Sequence, residues 1–331
     1  MLDIVQFKNS TKDDVLRLCA SEELLNLSHD QKTIPALARN KNLTAQIEDC
    51  LSGLPTNHQF FLGDVTSLGS LKPESVHLVV TSPPYWTLKK YHDHERQLGD
   101  VQDYDQFLKE LAKVWKLCYR ALIPGGRAVI VVGDVCLSRR QNKGRHVVVP
   151  LHASIQEQCR KIGFDNLAPI IWHKIANAKF EAGGTSTFLG KPYEPNAVIK
   201  NDIEYILMQR KPGAYRSPSF LERVFSVIPD DKHKEWFVQI WIGLTGASTK
   251  NHPAPYPITL AARLIRMFSF VGDTVLDPFL GSGTTSVAAW QCGRNSVGVE
   301  VDTEYLDMAI SRFEKESMTL MSSHSIEIHR S

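Results

Sequence analysis

The chain is expected to be α/β, a sheet covered by helices on both faces. Three observations carry this. Short β-branched apolar runs alternate with longer amphipathic stretches, as in parallel strands joined by crossover helices. One run, Val76-His77-Leu78-Val79-Val80, is apolar enough to be buried on both sides. Another, Thr274-Val275-Leu276, leads into Asp277-Pro278-Phe279-Leu280-Gly281-Ser282-Gly283-Thr284-Thr285 and then a helical pattern. Strand, glycine turn and helix follow one another there.

In chain order, residues 1–57 read as a helical extension. Val15, Leu16, Leu18, Leu24, Leu25 and Leu27 sit among charges at helical spacing, Ser10 or Thr11 caps the first helix, and Gly53-Leu54-Pro55 is a stop. Gln59 to Leu62 is a short strand ending at Gly63-Asp64. After strand 76–80, a helix is expected from about Asp103 to Leu122, with Phe107, Leu108, Leu111, Val114, Trp115 and Leu117 on one face. Pro124-Gly125-Gly126 reads as a turn, and Arg127 to Val132 as a strand ending at Gly133-Asp134. Residues 136–250 are less regular: a basic loop, a helix near 150–162, a strand ending at Trp172, a glycine-containing loop over 183–190 and a strand from Ile203 to Met208. Beyond the stiff His252-Pro253-Ala254-Pro255-Tyr256-Pro257 come a helix from Ile258 to Phe268, the glycine loop and its helix, a strand from Ser296 ending at Glu300, and a last helix over about 303–321.

Composition bounds the function. Of 331 residues 43% are apolar and 22% charged, ordinary for a globular protein. No apolar run approaches the ~18 residues of a membrane span. Met1-Leu2-Asp3-Ile4 has no basic segment leading into an apolar one, so no secretory signal is expected. The six cysteines form no C-x-x-C pair, so neither zinc nor a disulfide framework is expected, and a reducing cytoplasm is the simplest setting. Residues 136–250 carry 17 Lys and Arg against 10 Asp and Glu, a net of +7, whereas the rest is −5. A basic middle in an acidic remainder fits either a polyanion-facing segment or a solvated loop-rich face.

The glycine loop is built to hold a nucleotide-like ligand, because glycines let backbone approach and the helix N-terminus offers N–H groups. Glu300, ending the next strand, is placed to accept hydrogen bonds from ribose hydroxyls. The loop lacks the Lys of a phosphate-binding G-x-x-x-x-G-K-[ST] motif and the third glycine of a dinucleotide fingerprint. A carboxylate before the loop, Asp277, suits a cationic ligand better than a pyrophosphate. S-adenosylmethionine, with its ammonium, sulfonium and ribose, meets these demands. A nicotinamide-dependent oxidoreductase is the competing class, but it leaves the next motif unexplained.

That motif is Thr81-Ser82-Pro83-Pro84-Tyr85-Trp86, following the buried strand. Two prolines stiffen the backbone and remove two N–H donors. Acceptors remain, the Ser82 hydroxyl and the carbonyls of Ser82 and Pro83, with the aromatic face of Tyr85 alongside. Such a cluster suits a flat base bearing an amino group; a turn with an incidental aromatic is the plain alternative.

Ser82-Pro83-Pro84-Tyr85 together with Asp277-Pro278-Phe279-x-Gly281-Ser282-Gly283-Thr284-Thr285 resembles the amino-group DNA methyltransferases of bacterial restriction–modification systems. The order, catalytic motif before cofactor motif, is similar to their β class. The Ser-Pro-Pro-Tyr form resembles the N4-cytosine branch, since adenine enzymes more often carry Asp or Asn in place of Ser. The likeness covers about residues 58–315.

The resemblance implies an S-adenosylmethionine-dependent, Rossmann-like mixed sheet with circularly permuted motif order and an inserted target-recognition region. It divides the chain into a helical N-terminal extension (1–57), a catalytic half (58–135), a basic insert with the target-recognition region (136–250) and a cofactor-binding half (251–331). Asp277, Pro278, Phe279, Gly281, Gly283, Thr284 and Thr285 correspond to the cofactor loop, Glu300 to the ribose-binding acid and Asp64 to the acid near the adenine. Thr81 belongs with them, and His252 and Pro253 resemble the segment closing the cofactor pocket. Ser82, Pro83, Pro84 and Tyr85 correspond to the catalytic loop. Asp134 is expected either to orient Ser82 and help take up the proton or to serve as a helix or turn cap. The expected reaction moves a methyl group to the N4 amine of a flipped-out cytosine in double-stranded DNA, with N6 of adenine as the alternative. No Pro-Cys pair is present to form a covalent adduct with a ring carbon. Arg139, Arg140, Lys143 and Arg145 are candidate phosphate contacts, with base-reading residues between about 175 and 250. The resemblance also implies a cognate restriction endonuclease as functional partner and permits a homodimer.

Overall fold

The computed structural model describes residues 11–64, 69, 71–86, 98–140, 142–174, 188–189, 193–199, 201–246, 256–318 and 323–330. Four helices come first: α1 (Lys12–Cys19), α2 (Glu22–Leu25), α3 (Thr33–Arg39) and α4 (Lys41–Leu51). Thr11 caps α1 in a reciprocal box with Asp14, whose carboxylate accepts the Thr11 N–H. Strands β1 (Thr56–Leu62) and β2 (Val76–Thr81), helix α5 (Tyr104–Ala121) and strand β3 (Leu122–Val132) follow. Next are the hairpin β4 (Val135–Leu137) and β5 (Val147–Val149), helix α6 (Leu151–Ile162), and strands β6 (Asp165–His173), β7 (Phe188–Leu189), β8 (Val198–Ile199) and β9 (Ile203–Arg210). Short helices α7 (Phe220–Phe225) and α8 (Asp230–Trp236) precede strand β10 (Ile240–Trp241). The chain continues through α9 (Ile258–Phe268), β11 (Thr274–Asp277), α10 (Thr284–Gln291), β12 (Asn295–Glu300), α11 (Thr303–Ser317) and β13 (His324–Arg330).

Nine described strands form one sheet in the order β10-β6-β9-β3-β2-β11-β12-β1-β13. Every neighbouring pair is parallel except those made by β9, which runs antiparallel to both β3 and β6. The period-2 alternation of strands divides the core between two faces. Ala128, Ile130 and Val132 of β3 pack with Phe107, Leu111, Trp115 and Ile155 from α5 and α6. Val129 and Val131 face the other way, onto Leu260 and Leu264 of α9 and Ala288 of α10. Burial on both faces is why these strands read as continuous apolar runs.

Strand β12 lies parallel to β1, with Leu62 opposite Glu300. The end of the chain thus meets its beginning inside the sheet, as a permuted motif order requires. The N-terminal helices pack Leu16, Leu24, Leu37 and Ile47 against Leu221, Val224 and Phe225. Lys12 pairs with Glu222 at 3.2 Å, tying α1 to α7.

Several details depart from expectation. Pro124-Gly125-Gly126 is no turn but lies within β3, where the register against β2 shifts between Val76 and Leu78. Gly125 there takes φ 78° and donates its N–H to the Lys211 carbonyl at 3.0 Å. An insertion absorbed as a bulge needs a glycine as a turn does. The last helix stops at Ser317, and the tail adds the edge strand β13. Of the segment 136–250, strands β6, β9 and β10 belong to the central sheet. Arg210, Lys211 and Arg216 are structural ties: to Asp165 at 2.8 Å, to the Leu122 carbonyl at 2.7 Å and to the buried Asp273 at 2.8 Å. As their residue type favours, Trp172, Trp236 and Trp241 are core residues. No described helix is long and apolar enough to cross a membrane.

Candidate active site

Five adjacent parallel strands end on one edge of the sheet, and each carries one of the expected side chains there. In spatial order these are Asp134 after β3, Ser82 after β2, Asp277 ending β11, Glu300 ending β12 and Asp64 after β1. Residues spread over 237 positions of sequence are collected because parallel strands all point their carboxyl ends the same way.

The glycine loop joins β11 to α10. Gly281 and Gly283 take φ 52° and 76°, the left-handed region where a Cβ is penalised. At Gly283 a Cβ would also come within 3.0 Å of Ala309 on α11, so this glycine lets two helices pack closely. Helix α10 has no side-chain cap, so its first-turn N–H groups are available to an acceptor. Arg312 of α11 reaches across to donate to the Ser282 carbonyl at 3.1 Å and the Thr284 hydroxyl at 3.0 Å. Phe279 packs edge-on to Trp115, with centroids 6.4 Å apart.

Asp277 is almost wholly buried, and both of its oxygens are engaged within the protein. Oδ1 accepts from the Thr81 hydroxyl at 2.7 Å and the Phe279 N–H at 3.0 Å. Oδ2 accepts from Tyr256 at 3.3 Å and from Thr285. This differs from the open carboxylate facing a cationic ligand that was expected: Asp277 fastens β2, the glycine loop and α10 to one another. Burial pushes it up to about 6 against the lowering effect of these hydrogen bonds. Thr81 and Thr285 have the same internal role.

Glu300 is also buried, and burial pushes it up to about 7. Oε1 accepts from the N–H groups of Val301 and Asp302, each at 3.0 Å, and Oε2 accepts from Gly281 at 2.7 Å. One lone pair of Oε2 remains beyond these three bonds. Asp64 sits at the end of β1, where Gly63 donates its N–H to the Glu300 carbonyl at 2.8 Å.

The Ser-Pro-Pro-Tyr loop is held tightly. Pro83, Pro84 and Tyr85 are buried and Ser82 is half-buried. Tyr85, expected as an open stacking platform, is only 8% exposed, and its ring edge lies against Gly133, where a Cβ would come within 3.2 Å. Its hydroxyl is 3.2 Å from the Ser82 Oγ and donates to Glu204 at 3.3 Å. Trp86 takes a left-handed φ of 47°, and its indole donates to the Val101 carbonyl at 2.9 Å, anchoring the far end of the loop.

Asp134 is engaged by His152 rather than by Ser82. Its Oδ1 lies 2.6 Å from His152 Nδ1 and accepts the His152 N–H at 3.3 Å. It therefore caps α6, whose own N-cap position, Pro150, offers no side-chain bond. His152 in turn stacks on Tyr205, with centroids 3.8 Å apart. Arg139, Arg140, Lys143 and Arg145 are exposed on the connection of the β4–β5 hairpin, which springs from the same edge of the sheet. His252, Pro253 and residues 175–187 lie outside the described residues.

Sequence reasoning missed Tyr256, Arg312, His152, Glu204 and Lys174. Each acts by pairing with a group far away in sequence, so none belongs to a local motif. Tyr256 lay in the proline-rich stretch before α9, and His152, Glu204 and Arg312 lay in expected helices and a strand, but none was marked as a site residue.

Comparison with known proteins agrees with this geometry. A family model described as DNA methylase, the N6/N4 methyltransferase family, matches residues 76–311. The Type II methyltransferase M.MjaI of Methanocaldococcus jannaschii is 37% identical over 278 residues, covering 75% of this chain and 88% of its own. M.MthZI of Methanothermobacter thermautotrophicus is 34% identical over 299 residues, covering 84% and 81%. Among solved structures, TTHA0409 of Thermus thermophilus, complexed with S-adenosyl-L-methionine, is 49% identical with a TM-score of 0.68, covering 82% of this chain and 98% of its own. The cytosine-N4-specific PvuII DNA methyltransferase, 18% identical with a TM-score of 0.55 over 82% of this chain and 96% of its own, shares the fold. With the Ser-Pro-Pro-Tyr and glycine loops on neighbouring strands and a family match over most of its length, the chain belongs to the N6/N4 DNA methylase family.

Proposed function

We propose that this DNA methyltransferase acts on the N4 amine of cytosine, flipped out of double-stranded DNA, and uses S-adenosylmethionine. One observation carries the reading: β2 and β11 are hydrogen-bonded neighbours, so a loop rich in acceptors and bearing serine opens beside the glycine loop. Adenine enzymes would more often carry an acid or amide at Ser82. The N6-adenine reading shares every other feature of the site.

The residues present suit the cofactor. The uncapped N-terminus of α10 is a seat for its carboxylate, and the spare lone pair of Glu300 for a ribose hydroxyl. Asp64, Phe279, Gly281, Gly283 and Thr284 would line this pocket, with Thr81, Thr285 and Pro278 keeping its shape and His252 and Pro253 closing it. When bound, the cofactor supplies an electrophilic methyl group on sulfur.

The chain then has to make a poor nucleophile better. The cytosine amine is weak because its lone pair is delocalised into the ring. Hydrogen bonds from its N–H groups to the Ser82 hydroxyl and the Pro83 carbonyl favour a tetrahedral nitrogen and localise the lone pair. Acceptors fixed in advance by two prolines need no reorganisation during reaction, so positioning supplies much of the rate. The Asp134–His152 pair, following Gly133 in the chain, would take up the released proton. Arg139, Arg140, Lys143 and Arg145 would hold phosphates and fix the register of the DNA without reading its sequence. The biological role would be to protect host DNA from a cognate endonuclease.

The test is methyl transfer to mixed-sequence unmethylated DNA, with the digested nucleosides read by mass spectrometry. N4-methylcytosine is expected. N6-methyladenine would keep the mechanism and overturn the inference from Ser82. Absence of any methylated base, from folded protein that binds the cofactor, would overturn the reading.

A further inference from the structure

Beside the catalytic loop lies a chain of polar groups that the motifs do not contain. Lys174, just after β6, donates to Glu204 Oε1 at 2.6 Å. Glu204, on β9, accepts from the Tyr85 hydroxyl through Oε2 at 3.3 Å. The Tyr85 oxygen lies 3.2 Å from the Ser82 Oγ. The Lys174 and Glu204 side chains are only 14% and 12% exposed, so little water competes for them. The topology places them here. β9 runs antiparallel to β3 with Tyr205 opposite Val132, so Glu204 arrives beside Gly133 and Tyr85, and β6 brings Trp172 opposite Glu204 and Lys174 just beyond. Lys174 is steadied by its position over the Trp172 ring, 5.2 Å from the centroid, and by its own N–H donating to the Asp202 carbonyl at 2.9 Å.

We propose that Glu204 is a positioning residue that sets the hydrogen-bond polarity of Ser82. This role rests on Ser82 being the acceptor of the target amine. A carboxylate only accepts, and the Glu204 carboxylate is paired with the Lys174 ammonium. The single phenolic proton of Tyr85 is therefore committed to Glu204. The Tyr85 oxygen is left as an acceptor, and the geometry with Ser82 is satisfied only if Ser82 donates. With its one proton spent inward, Ser82 presents lone pairs alone to the substrate. A serine on a free rotor can equally offer its proton, and so greet a ring carbonyl as readily as an amine. Polarised in this way, it welcomes an N–H donor and repels a carbonyl at the same position. Both O–H···O distances are long in the free protein, and such bonds tighten when substrate seats.

The test compares Glu204→Gln, Tyr85→Phe and the double variant with the wild type, on full-length protein and unmethylated DNA. Glu204→Gln keeps the shape but lets the amide donate to Tyr85, reversing the relay. It is expected to lower kcat about 10- to 100-fold while leaving cofactor affinity and the KM for DNA within about threefold. Tyr85→Phe keeps the ring, removes the link and lowers kcat to a similar extent. The double variant is expected to be no slower than the slower single one, because both break the same chain. Retention of wild-type kcat by Glu204→Gln, or multiplication of the two single losses, would overturn the relay. Cofactor binding by each variant shows that it is folded, and Tyr85→Phe still tests the relay if Glu204→Gln does not fold. Failure of the underlying reading looks different: Ser82→Ala would then methylate DNA normally.

Discussion

Around the glycine loop, the two carboxylates are buried and paired before any ligand arrives, Asp277 with Thr81, Thr285 and Tyr256 and Glu300 with three backbone N–H groups, and Arg312 is paired with the loop itself. Around the β4–β5 hairpin the opposite holds. Arg139, Arg140, Lys143 and Arg145 stand exposed, and among the described residues none of them pairs with a carboxylate. The Ser82 loop lies between, rigid in backbone and half-open at its hydroxyl. The contrast follows from what each side must hold. A small ligand of fixed shape rewards preorganisation, because every group immobilised in advance is one fewer to order on binding. A phosphate backbone is recognised mainly by charge, and exposed long side chains adapt to it at little cost.

The largest expected effect breaks the middle of this arrangement. Ser82→Ala should lower methyl transfer by about 10²–10³-fold with cofactor affinity unchanged, measured by single-turnover kinetics and calorimetry. On the preorganised side, Asp277→Ala should destabilise the fold by about 2–3 kcal/mol in urea titration, because it leaves the Thr81, Thr285 and Tyr256 hydroxyls buried without their acceptor. An exposed-site substitution would cost far less, so a small value would mean that the loop is not preassembled.

The pH dependence sharpens the same point. Asp277 and Glu300 are pushed up to about 6 and about 7 by burial. The folded protein therefore holds protons that the unfolded chain has released, so stability of the cofactor-free protein should fall as pH rises from about 4 to about 7 and level off above. Hydrogen bonds from a ribose favour the ionised Glu300, so cofactor affinity should rise through the same range. Calorimetry at pH 6 and pH 8 is expected to differ about tenfold, and Glu300→Gln should flatten the difference. The smallest effect belongs to the hairpin. Arg140→Gln should weaken DNA binding only a few-fold at moderate salt and lower the salt slope by about 1, without changing which sequence is methylated. A loss confined to one DNA sequence would make Arg140 a base reader instead.

Much of this was legible in the sequence because it rests on local chemistry. The buried runs 76–80 and 127–132, the Thr11 cap, the helix over 258–268 and the two loops declared themselves through period, capping residues and glycine. The family resemblance carried by the two loops and their order implied the permuted sheet, and β12 beside β1 bears that out. What a residue pairs with is not local. Asp277 and Asp134 were identified by their place at strand ends, yet only the sheet decided that one is filled by Thr81, Thr285 and Tyr256 and the other by His152. The edge strand β13 escaped notice because it is largely polar, and β9 hid its reversal because a strand's period is the same in either direction. Residue types and their spacing determine which elements form and which chemistries the chain carries. The partners of each side chain, including the Lys174–Glu204–Tyr85–Ser82 line, come from strand order and direction, which bring together residues more than a hundred positions apart.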